Sequence, residues 1–382
     1  MTDPTVRHRS VPALAAIVER PGAPFRFEEV TLDGLRPDEI RVRLHAAGVC
    51  HTDLNARAGN LPFPMPAVFG HEGAGVVEAV GTAVTTPKPG ERVVLSFASC
   101  GGCRACRAGR PVRCGQWGAL NLSGGSRLDG TATLHREHRP VHGHFFGQSA
   151  FATRVTVNAR SAIPVPDDVP LDVAAPLGCS VQTGAGAVLR ILRPTVGSSL
   201  AIFGAGAVGL SALLAARLTP AGRIIAVDLR PERLAIAREL GAQHLIDARE
   251  GDVAARIREI SDGGVHYALD TTGDPSALRT AVDSLAIAGV CGVIGAAPPN
   301  TEVRLDMAAM LDRLPRLIGI NQGDADPRSF IPQLLELYRS GRLPYDKFIT
   351  RFRFSEIEAA AQAAARGAAI KPVLLFDVDE VE

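Results

Sequence analysis

Apolar and polar positions alternate early in the chain: Ile40, Val42 and Leu44 interleave with Glu39, Arg41 and Arg43. A period of two belongs to a strand with one covered face. It recurs in AAIVER, FRFEEVTL, AGVVEAVG and ERVVLS between turn residues, predicting short half-buried strands from Ala13 on. Residues 1–12 carry no period and read as a loose tail. Asn60–Phe69 holds three prolines and reads as loop, and from Ala98 to about Gly147 nothing is periodic. That stretch is rich in Gly, Arg, Cys and His, so it needs a tie other than a core. After about Asp172 the texture changes. Residues 173–192 predict a helix or helix pair, SSLAIF a strand, and RIIAVDL another strand followed by a helix from Pro231 to Leu240. HYALDTTG, a helix near 275–288 and GVCGVIGAA continue the alternation, which means βαβ units and a parallel sheet. The helix FIPQLLELYRSG closes this region, and KPVLLFDV returns to the early strand texture.

A chain of 382 residues is long for one domain, which fits this division into a β-rich unit and an inserted α/β unit. Forty-one Lys and Arg against 40 Asp and Glu leave a formal charge of +1, so neither nucleic acid nor an acidic membrane surface is an expected partner. No apolar run reaches the roughly 20 residues of a spanning helix. Arg and His interrupt the N-terminus where a secretory signal would be apolar. The expected location is the cytoplasm.

Gly204-Ala-Gly206-Ala-Val208-Gly209 follows the apolar strand Leu200–Phe203 and opens a helix expected over Leu210–Leu218. In that setting Gly204 permits the tight turn, Gly206 lets a pyrophosphate approach the backbone, and Gly209 lets helix and strand pack closely. The helix N-terminus offers free N–H groups to phosphate. Asp228 ends the strand that follows this helix, where a carboxylate accepts from ribose hydroxyls and repels a 2′-phosphate. NAD is therefore expected over NADP.

Seven cysteines are too few for a disulfide scaffold, yet Cys100, Cys103, Cys106 and Cys114 fall within one short segment. Four thiolates at this spacing can close a tetrahedral zinc shell with no open position, hence a structural site. An iron–sulfur pattern fits poorly, because Cys114 comes well after Cys106 with no proline behind it. Cys50, His71 and Cys179 are scattered; two Cys and one His make a catalytic zinc shell, but spacing alone leaves open whether they meet.

With GVCHTD (48–53), GHEGAG (70–75), the four-cysteine lobe, LGCSVQTGAGA (177–187) and GAGAVG (204–209) in this order, the chain resembles the zinc-dependent medium-chain alcohol dehydrogenases from about Ala13 to Phe376. HFFGQSAFAT (144–153) is most similar to the aryl (benzyl) alcohol branch. The resemblance implies an α/β protein: a GroES-like β-rich catalytic domain over 1–180 and 324–382, and a doubly wound Rossmann domain over 181–323, with the active site between them. It implies two zinc ions per chain. Cys50, His71 and Cys179 match the catalytic ligands, Glu72 their acidic neighbour, Asp53 the carboxylate orienting the ligand histidine, and Thr52 the hydroxyl taking the alcohol proton. His51 and Lys371 match residues contacting the cofactor pyrophosphate, Arg233 one near the adenosine ribose, and Thr183 one beside the nicotinamide. Phe97 and Phe145 or Phe146 fall where substrate-pocket aromatics lie.

One position departs. Where horse-liver-like members carry a histidine ending the proton relay, this chain has Asn55, which cannot take up and release a proton near neutrality. The implied activity is reversible, NAD-dependent oxidation of a primary, aryl or allylic, alcohol to the aldehyde. The thiol-dependent (glutathione-type) formaldehyde dehydrogenases share every metal motif and stand as the alternative. A non-catalytic zinc and nucleotide binder is opposed by the presence of all three ligands and Thr52. The full four-cysteine lobe and the long 115–145 loop are similar to dimeric members, implying a homodimer.

Overall fold

The computed structural model describes residues 10–376, which divide into two compact units. One takes the chain up to Cys179 together with Asp326–Glu336 and the segment from Ile349; the other is Ser180–Ala325 with Leu337–Phe348. Residues 1–9 of the expected tail lie outside the described residues, and Val11 already opens a strand, Val11–Val18, paired antiparallel with Arg26–Leu32.

Two sheets build the first unit. A five-stranded sheet runs in the order Ala67–Val68, Val11–Val18, Arg26–Leu32, Leu134–Arg136, Arg139–Val141. The proline-rich segment is therefore not all loop: after its last proline, Ala67–Val68 pairs with Ile17–Val18. The unpatterned 98–147 stretch likewise contributes a hairpin, too short to show a period. At the centre of the seven-stranded sheet lies Glu39–Gly48, paired with Gly73–Val80, Arg154–Asn158 and Lys371–Leu375. This strand is not half-buried as expected. Glu39 and Arg41 are buried with their apolar neighbours, because Arg127 forks onto both Glu39 oxygens (2.6 and 2.8 Å) and Arg41 donates to the Asp33 carbonyl (2.8 Å). Paired charge can be buried where lone charge cannot. Lys371–Leu375 completes this sheet, which is why strand texture returns at the end of the chain.

The second unit is a six-stranded parallel sheet: Ser199–Phe203, Arg223–Asp228, His244–Asp247, Val265–Asp270, Leu285–Val293 and Arg316–Gly319, in spatial order 3-2-1-4-5-6. That is the Rossmann order. Helix Ala207–Ala216 starts ahead of the expected Leu210 and is buried along nearly its whole length, apolar on all sides. The helix expected near 275–288 stops at Asp283, and the next strand begins at Leu285. The expected return to the first unit at residue 324 is also corrected. Leu337–Phe348 belongs to the second unit, where Tyr345–Phe348 packs on helix Ala207–Ala216 and the Tyr345 ring lies 5.2 Å from that of Tyr338.

His144, in the first unit, is buried with both ring nitrogens lacking a hydrogen-bond partner, and burial pushes its pKa down to about 4. An unfolded chain takes up this proton near pH 6.5, before the folded one does. The contribution to stability is therefore complete above 6.5 and lost between 6.5 and 4, up to about 3 kcal/mol. Thermal midpoints should fall across this window, and His144→Gln should flatten the fall. An identical slope in the variant would assign the acid lability elsewhere.

Candidate active site and metal centres

Cys50 stands in extended conformation (φ −119°, ψ 157°) at the N-terminus of the helix His51–Arg57. Asp53, in that helix's first turn, accepts from the Cys50 N–H through Oδ2 at 2.8 Å. Its Oδ1 accepts from the Gly70 N–H at 3.0 Å and lies 2.8 Å from His71 Nδ1. One fully buried carboxylate thus sets the positions of two expected ligands from separate segments. His71 turns its other nitrogen, Nε2, inward; it is buried and has no hydrogen-bond partner. Donor atoms of Cys50, His71, Glu72 and Cys179 all lie within 4.8 Å of one another. An imidazole held at Nδ1 by a carboxylate, with an orphaned Nε2 facing two sulfurs, fits a zinc ion with three protein ligands and an open position.

A hydrogen bond from Cys179 holds the Cys50 thiol well below its ordinary pKa and raises that of Cys179 in turn. Burial pushes the His71 pKa down, but the charge and hydrogen bond of Asp53 together with those of Cys50 outweigh it and bring it up to about 10. Burial raises the Glu72 carboxyl pKa, while Lys371 opposes this with its ammonium 3.0 Å from both Glu72 oxygens. Lys371 also donates to the Val49 carbonyl (3.3 Å) and is 1 % exposed, so its present contacts serve the cluster. Thr52 Oγ1 lies 3.7 Å from Cys50 Sγ, and His51 is exposed at the start of the same helix.

Of the expected pocket aromatics, Phe146 stacks on the His71 ring (centroids 4.5 Å apart, planes 27°). Phe145 meets that ring edge-on at 5.6 Å and otherwise packs among Phe63 and Phe69. Phe146 adopts a left-handed conformation (φ 51°, ψ 31°), an unfavourable one for a bulky residue, in order to do so. Phe97 is buried beside Trp117, ring centroids 4.8 Å apart.

Sequence reasoning missed Gln148. Its buried amide donates to the His71 carbonyl (3.0 Å) and accepts from the Gly73 N–H (3.1 Å), clamping the backbone around Glu72. No sequence signal marks it beyond its place in HFFGQSAFAT.

Cys100, Cys103, Cys106 and Cys114 also bring their sulfurs within 4.8 Å of one another. Backbone N–H groups of Cys103, Cys100 and Gln116 point at sulfur at 3.4 Å, those to Cys114 coming from Cys100 and Gln116. N–H donation from Cys106 and Gly115 lowers the Cys103 pKa to about 6, while burial raises that of Cys106 to about 12. Four sulfurs and no other donor suit a closed zinc site.

In the second unit Gly204 has φ +92°, and a Cβ on Gly209 would sit 1.8 Å from the Gly204 carbonyl oxygen. By contrast, a Cβ on Gly206 would find only Arg233 Nη1, at 3.9 Å, leaving the open space that a pyrophosphate requires. Val208 lies in the first turn of the helix. Asp228 accepts from the N–H groups of Ala205 (2.6 Å) and Arg230 (2.9 Å), which hold its carboxylate at the end of its strand. Arg233 Nε and the hydroxyl of Thr183 are buried without hydrogen-bond partners. These residues fit a dinucleotide.

Fold and donor sets together define a zinc-binding dehydrogenase. Residues 36–167 match the alcohol dehydrogenase GroES-like domain and residues 207–340 the zinc-binding dehydrogenase family. The chain is 45% identical to geraniol dehydrogenase of Castellaniella defragrans over 96% of its length and 98% of that protein. It is 40% identical to benzyl alcohol dehydrogenase of Acinetobacter calcoaceticus, whose crystal structure superimposes with a TM-score of 0.92 over 96% of this chain and 100% of that one. It is 32% identical to S-(hydroxymethyl)glutathione dehydrogenase of Saccharomyces cerevisiae, over 97% of both chains. The chain belongs to the medium-chain zinc alcohol dehydrogenases: it is an oxidoreductase that uses zinc and NAD.

The native chain should carry two zinc ions. Asp53→Asn keeps one acceptor oxygen but loses the negative charge behind His71 and the second acceptor, so one ion should be released at roughly 10–100-fold lower chelator concentration while the other stays. Metal analysis after graded chelation reads this directly. Release of both ions as in the native chain would show that Asp53 does not set the affinity.

Proposed function

We propose that this protein reversibly oxidises primary aryl or allylic alcohols to aldehydes. The observation that carries the substrate class is the aromatic surface on His71, with Phe146 stacked on the ring that offers Nε2 to the metal. A flat unsaturated alcohol bound there meets ring faces rather than flexible chains. The names of the geraniol and benzyl alcohol relatives agree with this. The first unit acts as the catalytic domain and the second as the cofactor domain.

Cys50, His71 and Cys179 hold the catalytic zinc, and Cys100, Cys103, Cys106 and Cys114 the structural one. When bound, zinc would supply Lewis acidity to the alcohol oxygen and NAD would supply the hydride acceptor. Thr52, whose hydroxyl lies 3.7 Å from Cys50 Sγ, takes the alcohol proton. Such transfer is worth about 10²–10⁴-fold. Asn55 cannot relay that proton, so it leaves through His51 or water. Asp228 and Arg233 receive the adenosine ribose, and Thr183 the nicotinamide. Gly204, Gly206, Val208 and Gly209 frame the pyrophosphate. Lys371, expected at the pyrophosphate, is instead buried against Glu72 and serves the metal cluster.

A panel followed by NADH absorbance tests the reading: benzyl alcohol, geraniol and hexan-1-ol with NAD or NADP, and formaldehyde with glutathione. Benzyl alcohol and geraniol should exceed hexan-1-ol by about tenfold in kcat/KM, and NAD should exceed NADP. Formaldehyde with glutathione as the best pair would move the protein to the thiol-dependent branch.

The protein acts as a homodimer in the cytoplasm. Among the described residues, no helix is long and apolar enough to cross a membrane, and none of the seven cysteines is in a disulfide. Ile287, Met307, Leu311, Leu314 and Leu317 expose large apolar side chains along consecutive elements of the second unit. Arg316–Gly319 is an edge strand with unpaired backbone groups on its outer side. An open edge flanked by an apolar patch suits a two-fold copy of itself. Sedimentation should give the mass of two chains, and Leu311→Glu combined with Leu317→Lys should give one. A native monomer would refute the pairing.

A further inference from the structure

Trp117, the chain's one tryptophan, lies just past Cys114, the last cysteine of the structural lobe. Its N–H donates to the Cys114 carbonyl at 3.0 Å, so the turn that presents that sulfur also aims the indole. Its own carbonyl accepts from Asn121 Nδ2 (3.0 Å), and the fully buried Asn121 amide exchanges two bonds with the Ala98 backbone (2.9 and 3.0 Å). Trp117 is thereby fixed to the strand end that carries Phe97. Its ring lies 4.8 Å from Phe97 and stands edge-on to Phe146 at 6.3 Å, and Phe146 is stacked on His71. The ligand histidine, Phe146, Trp117 and Phe97 form one continuous aromatic series. Phe97 and Phe146 are buried, while Trp117 is only partly so and leaves surface for another molecule. A π-helical turn, Ala119–Ser123, follows directly; such turns cost regular hydrogen bonding and concentrate at functional positions.

From this the geometry points to Trp117 as a specificity-determining residue. It is the outer part of the surface on which an unsaturated alcohol lies, and the four-cysteine lobe is the device that holds it there. The inference rests on the aryl and allylic substrate reading and deepens it. The lobe then has a second task besides stability: it delivers one ring to a site built by other segments.

The test compares benzyl alcohol with cyclohexylmethanol, which keeps the carbon skeleton and lacks the π-system, in the zinc-loaded enzyme with NAD. Trp117→Leu should lower the benzyl-to-cyclohexyl ratio of kcat/KM about 3–10-fold, the size of an aromatic pair, and do so through KM. Trp117→Phe should keep most of the ratio. An unchanged ratio in Trp117→Leu, or an equal fall for both alcohols, overturns the assignment. The native enzyme offers a second measurement that needs no variant. Trp117 alone emits as tryptophan, so benzamide, an unreactive aldehyde mimic, should change the emission at concentrations where it competes with alcohol. Emission unmoved under competitive inhibition also overturns the assignment. Absence of native turnover of benzyl alcohol refutes the substrate reading itself, whereas turnover with an unmoved ratio refutes only the role of Trp117.

Discussion

The site rests on one carboxylate. Asp53 is fully buried, and an ion so placed is tolerated only if its oxygens find donors. Three donors reach it, from Cys50, Gly70 and His71, and each restrains a different part of the site. The Cys50 N–H fixes the first turn of a seven-residue helix, which would be marginal alone. The Gly70 N–H ties that helix to the segment entering the strand Gly73–Val80. The imidazole selects the orientation in which Nε2, rather than Nδ1, is offered to a metal. Helix, strand and ligand geometry therefore depend on the same two oxygens.

The second constraint is charge. With zinc bound, the thiolates of Cys50 and Cys179 would join Glu72 around the dication, and Lys371 beside Glu72 would offset part of that negative charge. Lys371 opens the last strand of the chain, far in sequence from Cys50 and Glu72. Its ammonium is buried with them, which would be costly without Glu72 at 3.0 Å. Closing the central sheet with this late strand and supplying the balancing cation are one structural event. The return of the chain to its first unit thus has a chemical reason as well as a packing one.

Much of this was legible in the sequence where the signal is local. Strand and helix periods marked most of both units, the glycine turn with Asp228 marked the dinucleotide end, and four closely spaced cysteines marked the lobe. The short hairpin at 134–141 was not legible, since three-residue strands carry no period. Neither was the burial of Glu39 and Arg41, which depends on Arg127 and a carbonyl brought in by folding. Cys50, His71 and Cys179 became readable as a set only through resemblance. Gln148 and Trp117 were invisible for the same reason: each acts through partners that are neighbours in space, and nothing in residue type distinguishes them. The lone departure at Asn55 was visible, because it is a change of chemistry at a single position.

The two metal centres differ in how the chain assembles them. The four-cysteine lobe closes between Cys100 and Cys114, and its own backbone N–H groups point at its sulfurs. Little loop entropy is lost on closing so short a segment, and the lobe lacks a regular core, so metal and folding are coupled there. The catalytic centre draws donors from segments between Cys50 and Cys179, and Asp53 and Gln148 tie the Cys50 and His71 segments with hydrogen bonds. That difference suits the two tasks: a site that must keep one coordination position free cannot rely on its ion to pull the ligands together, whereas a closed site can.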